Sequence, residues 1–321
     1  MENPHAGTLF NLNEVEFEDM NIKHFENRTR AFVKIQDGCE NFCTYCIIPY
    51  VRGKCRSKKE DNVLSEITTL VNNGYNEIVL TGIHTGNYGV DINTNFSSIL
   101  EKILNIKGLK RLRISSIEIT ELTDKFMDVL KTSKKIVNHI HIPLQSGCGK
   151  ILKAMNRKYD MQYFINKINQ IRSIRKDIAI TSDVIVGFPG ETDEDFNITK
   201  ENIKKIKFTE LHVFPYSKRK GTPAAIMKNQ IDGNIKKQRV KELIEISEEL
   251  KNEYYKKFIG KLLEVLVETY SDGYLIGHLS NYGKVKFKGD ESLLHNLVMV
   301  KLNDYINDEF MGELIKEEVK V

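Results

Sequence analysis

The chain has 321 residues, 40% of them hydrophobic and 29% charged, with a net charge of +4. That balance suits a globular protein with one large domain and a small one. No apolar run approaches the roughly 20 residues that span a bilayer, the N-terminus reads as no export signal, and five cysteines are too few for a disulfide framework at this length; the expected location is the cytoplasm.

Residues 1–29 read as a linker remnant, mixing acidic and amide side chains without a periodic apolar face. From Arg30 strand and helix patterns alternate. Residues 31–35 are a short apolar strand. Ser57 and Glu60 carry a capping-box signature, followed at helical spacing by Val63, Leu64, Ile67, Leu70 and Val71, with Gly74 as the stop. A strand over 77–81 leads to a helix bearing Phe96, Ile99, Leu100, Ile103 and Leu104, then a strand over 111–116. A helix around 126–130 precedes a strand over 139–142; Asp160 caps a helix with Phe164, Ile165, Ile168 and Ile171. A strand over 178–186, a helix opened by Thr192 and Asp195, and a strand over 210–214 end the series. Six β/α units fall short of the eight of a closed barrel, so an open, partial barrel is expected, with ligands at the carboxyl ends of its strands.

Residues 233–258 form a long charged helix, expected to pack across the outside of this α/β core, which spans 30–256. From Gly260 short apolar runs alternate with Gly, Asn and Asp, the pattern of a small antiparallel β-barrel over 257–321.

The stretch IQDGCENFCTYCIIPYVRG places Cys39, Cys43 and Cys46 in the spacing CxxxCxxC just after the first strand. Thiolates are the usual ligands of iron–sulfur clusters. Three of them leave one iron of a [4Fe–4S] cubane open, and an open iron can chelate the amino and carboxylate groups of S-adenosylmethionine. The alternative is a structural zinc with Cys55 as fourth thiolate, although no further Cys or His pair at zinc spacing follows. Tyr45 supplies an aromatic ring beside the motif that can pack against adenine.

Together with VLTGIHTGNYG, RISSIE, HIHIPLQSG, MNRKY, TSDVIVGFPGETDEDF and HVFPYSKRKGTPA, this stretch resembles the radical-SAM methylthiotransferase family, from Arg30 to the end of the chain. The resemblance implies a partial (βα)6 radical-SAM barrel followed by a TRAM-like RNA-binding barrel. It also implies reductive cleavage of S-adenosylmethionine and methylthiolation at C2 of an adenosine. GIHTGNYG and RTRAFVKIQDGC look most like the tRNA threonylcarbamoyladenosine branch, whose target is position 37 in the anticodon loop of tRNA. Branches acting on isopentenyladenosine or on a ribosomal protein are the alternatives within the family. A non-catalytic, metal-stabilised RNA-binding protein is the alternative outside it. The family requires a reducing electron donor and a second, sulfur-donating [4Fe–4S] cluster held by three cysteines of a preceding domain. Only 38 residues precede Cys39 and none is a cysteine. The expectation is therefore a fragment or a shortened protein that supplies only the radical-generating and RNA-binding parts.

Among the other candidates, Gly82, with Thr81 and Gly86, would lie near the methionine end of the cofactor. Ser116 and Glu118, with Ser115, end a strand on the ligand side, as does Gln145 with Ser146. Asp183 interrupts an apolar strand, which is costly unless it is paired or faces water. Gly187 shapes a turn whose backbone could read adenine, and Glu191 is expected to cap the next helix. Arg157, Lys158 and Arg219 could hold a carboxylate or phosphate, whereas Cys55 and Cys148 read as packing residues. The barrel region 257–318 holds 7 Lys against 11 acidic residues, so it has no strongly basic patch. Lys284, Lys286 and Lys288 alternate and so share one face of a strand that could meet phosphates.

Overall fold

The computed structural model describes residues 15–26 and 28–315. Residues 1–14 of the expected linker lie outside this range, as does Asn27. The rest of that segment forms no helix or strand but follows the core: Ile22 N donates to Glu66 Oε1 at 3.1 Å, and Phe25 N to the Tyr75 hydroxyl at 2.8 Å.

The core strands are β1 (Arg30–Asp37), β3 (Glu77–Gly82), β4 (Arg111–Ile114), β5 (His139–His141), β6 (Ala179–Val186) and β7 (Glu210–Pro215). A short β2 (Arg56–Ser57) pairs antiparallel with β1. The sheets run β2-β1-β3-β4 and β5-β6-β7. They are stitched by the parallel bridges Leu112 to Ile136 and Ser116 to His141. All six core strands therefore run parallel around one wall of an open barrel, as their apolar runs lead one to expect.

Helices α2 (Glu60–Asn72), α3 (Phe96–Leu104), α4 (Asp124–Thr132), α6 (Met161–Ile174) and α7 (Asp193–Ile206) cover the outside. Each buries the periodic face read in the sequence. Asp160 caps α6 through Tyr163 N at 2.8 Å, and Thr192 and Asp195 make a capping box on α7. Two cap assignments are corrected. Ser57 does not cap α2: its hydroxyl bonds Asp91 at 2.5 Å, and Lys59 holds the N-cap without a side-chain bond. Glu191 caps no helix either: it bonds Gly187 N and Arg239, both at 2.6 Å. Two short helices, α1 (Ile48–Arg52) and α5 (Gly149–Ala154), were not evident in the sequence. The long α8 (Gly233–Lys256) lies on β7, where Ser247 Oγ accepts from Leu211 N at 2.9 Å.

After α8 come β8 (Leu262–Ser271), β9 (Tyr274–Leu279), β10 (Lys284–Lys288), β11 (Leu297–Ile306) and β12 (Glu309–Leu314), closed in the order β10-β12-β11-β8-β9. The expected barrel is present, but not wholly antiparallel: β10 and β12 pair in parallel. Five strands cannot alternate direction all the way round a closed ring, so one pair must be parallel. Register shifts at Val267/Thr269 and Leu302/Asp304 coil the longest strands.

The small barrel seats on the amino ends of the core strands. Glu77, fully buried, accepts from Arg30 Nε at 2.8 Å and Arg113 Nε at 2.7 Å, with Arg111 at 3.7 Å. Arg30 and Arg111 reach on to Glu268 and Glu264 of β8, at 2.7 and 2.9 Å. Charges taken this far from water persist only when paired.

Candidate functional site

The carboxyl end of β1 turns sharply into the cysteine loop. Gly38 has φ +76°, and a Cβ there would lie 1.9 Å from the Lys54 carbonyl oxygen, so only glycine lets the two segments pass. Gln36, fully buried, organises the turn. Its amide donates to the carbonyls of Asp37 and Gly38, both at 2.8 Å, and its oxygen accepts from His84 N at 2.7 Å. The far side of the loop is tied down as well: Thr44 Oγ1 donates to Ala154 O at 2.9 Å, and Asn156 Nδ2 to Phe42 O at 2.9 Å.

The three thiols are free, Cys43 buried and the other two half-buried. Among the described residues His141, Asp183 and His212 bring three metal-ligand atoms within 4.8 Å of one another. Cys55 is not free to be a fourth ligand: it is buried, with its sulfur 3.3 Å from Gln36 Nε2 and 3.4 Å from Asn87 O. Cys148 is buried elsewhere, against Asp195.

Two of the thiols have a basic side chain beside them. His84 Nδ1 lies 3.8 Å from Cys39 Sγ. Burial alone would lower this imidazole, but hydrogen bonds to Cys39 and Glu121 lift it to about 10. Arg157 Nη1 lies 3.4 Å from Cys43 Sγ and also bonds Glu118. Burial, together with the neighbouring thiols, raises Cys46, with Arg219 pulling the other way. Three soft donors in one loop, two of them beside basic groups, fit an iron–sulfur cluster, whose thiolate ligands would bring negative charge to the loop.

Beside the loop lies a cavity of about 330 Å³, lined by Tyr45, Gln145, Asp183, Ile185, Tyr216 and Arg219 among others. Tyr45 packs toward Cys148, Ile151, Met155 and Phe188, and its hydroxyl is 3.5 Å from Arg157. Gln145 has φ +65°, a strained value for a side chain of its size. It is held there by Gln145 N to Asp183 O and Ile185 N to Gln145 O, both 2.8 Å. Asp183 sits on the middle strand of β5-β6-β7, not at an edge, and its carboxylate is 3.4 Å from His141 Nε2.

Asp183 also borders a second cavity of about 720 Å³ inside the partial barrel, shared with Ser116, His139, His141, His212 and Arg113. His278, Tyr282 and Lys284 of the small barrel close its lower wall. The structure thus brings Tyr45, Gln145, Asp183 and Ser116 around two adjoining spaces. Glu118 joins them through Arg157 and also caps the turn over 119–121. Gly82 and Gly187 line neither cavity. Gly82 faces the Gln36 side chain, and Gly187, at φ +70°, faces Lys236. Gln36 went unrecognised in the sequence although it lies inside the cysteine stretch. Arg157 was weighed there as an anion holder, not as a neighbour of Cys43.

Residues 33–203 match the Radical SAM superfamily. The chain is 48% identical over 293 residues to the threonylcarbamoyladenosine tRNA methylthiotransferase MtaB of Bacillus subtilis, covering 89% of this chain and 65% of that protein. It is 40% identical over 293 residues to the tRNA-2-methylthio-N(6)-dimethylallyladenosine synthase of Lachnoclostridium phytofermentans, covering 90% and 64%. The chain thus spans just under two thirds of the length of these relatives. In fold it resembles the radical SAM enzyme coproporphyrinogen III oxidase of Escherichia coli, with a TM-score of 0.52 at 16% identity over 70% of this chain and 54% of that one.

Proposed function

The chain belongs to the radical SAM superfamily, and from that premise we propose that it carries the radical-generating and substrate-holding parts of a tRNA methylthiotransferase, acting at C2 of N6-threonylcarbamoyladenosine at position 37. The observation that carries this reading is the trio of free thiols in one loop, Cys39 beside His84 and Cys43 beside Arg157, with Tyr45 of the same loop lining a cavity that shares Asp183 with the interior one. Cys39, Cys43 and Cys46 would hold a [4Fe–4S] cluster. With S-adenosylmethionine bound beside it, such a cluster would supply one-electron reductive chemistry.

The chain's own residues do the positioning. Tyr45 and the strained Gln145 wall the cavity next to the thiols, at the place for the adenine of S-adenosylmethionine. Arg157 holds Glu118 against the loop, and Asp183 stands at the passage between this cavity and the interior one. The small barrel, through Tyr282 and Lys284, forms a wall of the interior cavity, so an RNA held on it can present a base from that side. Threonylcarbamoyladenosine is favoured as substrate by the 48% identity to an enzyme named for it; the dimethylallyl alternative rests on 40%. The five cysteines provide ligands for one cluster only, so sulfur insertion needs a donor beyond them.

Anaerobic reconstitution should yield about four iron and four sulfide per chain, visible absorbance, and 5′-deoxyadenosine from S-adenosylmethionine under reducing conditions. Zinc in place of iron, with no 5′-deoxyadenosine, would sink the reading. Mass spectrometry of tRNA nucleosides from a strain lacking the gene should show loss of the methylthio group from threonylcarbamoyladenosine alone. Loss from the isopentenyl nucleoside would transfer the function to the other branch.

A further inference from the structure

We propose that the interior cavity is an anion subsite, in which Arg113 and His139 receive the carboxylate of the threonylcarbamoyl substituent on the target adenine; this rests on the reading of the chain as a tRNA methylthiotransferase.

Arg113 is 1% exposed, yet among the described residues neither of its terminal amino groups finds a hydrogen-bond partner. Its Nε alone engages Glu77, at 2.7 Å, and the Tyr282 ring covers one face of the guanidinium at 3.7 Å. Buried guanidinium groups ordinarily satisfy their N–H donors. Arg30 and Arg111 share Glu77 but each has a second carboxylate, Glu268 and Glu264 respectively. Arg113 has no second one.

Among the described residues lining this cavity, His139 is the other buried donor left open. It is 5% exposed, its Nε2 is 2.9 Å from Thr181 Oγ1, and its Nδ1 has no partner. Burial, then Arg113 and two nearby histidines, keep the ring neutral. A neutral imidazole can donate one hydrogen bond to an anion without adding a second buried charge. The remaining lysines of the cavity are already engaged: Lys251 by Glu210 and Asp308, at 3.1 and 3.3 Å, and Lys284 by Glu309 at 2.9 Å.

The open donors suit one substituent. An isopentenyl group at N6 has no charge and would leave the same donors unpaired. A site built around buried hydrogen-bond donors rejects such an analogue strongly.

The test uses the reconstituted chain and anticodon stem-loop RNAs identical except for the base at position 37: threonylcarbamoyladenosine, its carboxyl methyl ester, isopentenyladenosine and adenosine. Fluorescence anisotropy should show the acid binding roughly ten- to a hundred-fold tighter than the ester, with Arg113→Gln and His139→Ala each lowering the acid's affinity toward that of the ester. The acid–ester comparison changes no protein residue, so it stands even if a variant folds poorly. Equal affinity for acid and ester, or full preference retained in Arg113→Gln, overturns the inference while leaving the methylthiotransferase reading intact if 5′-deoxyadenosine still forms. Binding of none of the RNAs, with no 5′-deoxyadenosine, overturns both.

Discussion

At the carboxyl ends of the core strands, three free thiols share one loop, with His84 beside Cys39, Arg157 beside Cys43 and Tyr45 lining a cavity next to them. At the amino ends of the same strands, Glu77 is locked among Arg30, Arg111 and Arg113, and the small barrel closes over them with Glu264 and Glu268. The upper end keeps its donors available for something that binds; the lower end uses almost all of its charge internally. In β/α barrels the first arrangement serves chemistry and the second stability. Arg113 is the exception that links the two, since it belongs to the lower network but keeps two donors toward the interior.

The contrast can be broken first at the thiols. Replacing Cys39, Cys43 or Cys46 by Ala should reduce bound iron, visible absorbance and 5′-deoxyadenosine formation to background, with the circular dichroism unchanged. Cys148→Ala should keep all three signals. Iron retained in the first set would remove the upper end's assigned role.

The lower end should fail through stability instead. Glu77→Gln leaves buried arginines without their shared carboxylate and should cost about 3–5 kcal/mol in urea unfolding. Burial would raise the Glu77 carboxyl, but Arg113, Arg30 and Arg111 outweigh it and hold it below its ordinary value of 4.5. A lowered folded-state value adds stability that is present above about pH 4.5 and is lost as pH falls through the folded value. The wild-type urea midpoint should therefore drop in acid more steeply than that of Glu77→Gln.

A smaller effect is expected at Gln36, which joins the cysteine loop to the β3 loop. Gln36→Leu strips partners from His84 N and from two carbonyls, and should cost about 1–3 kcal/mol together with faster loss of iron on dilution into chelator. Unchanged iron retention would show that the loop is held by Thr44 and Asn156 alone.

The smallest effect concerns the outer face of the barrel. Lys286 and Lys288 both lie over the Tyr274 ring, at 4.8 and 5.9 Å, whereas Lys284 is paired with Glu309. Lys286→Ala with Lys288→Ala should weaken RNA binding and reduce its log–log salt slope by about 1.5–2. An unchanged slope would remove this face from the RNA path.

Much of this was legible in the chain itself. Six short runs of aliphatic and β-branched residues between turn and helix signals mark the strands within a few residues. Cys39, Cys43 and Cys46, the residues proposed to hold the cluster, stand out because all three thiols fall in one short loop. The caps at Asp160 and Thr192 are likewise local. Ser57 misled because its hydroxyl found a partner in Asp91, thirty-four residues away, and Glu191 because its carboxylate found Arg239.

What the sequence by itself determined, then, was whatever is encoded over a few neighbouring positions: the β/α order, the CxxxCxxC spacing of the three cysteines and the β-rich C-terminal unit. Only the tertiary structure decided which cation meets which thiol, that Asp183 joins two cavities, that the small barrel closes through a parallel pair, and that Arg113 is left with open donors. Those properties depend on side chains brought together from strands up to 238 residues apart, as in the pair Arg30 and Glu268. Their energies come from burial and from what else lies within a few ångströms, which spacing along the chain does not specify.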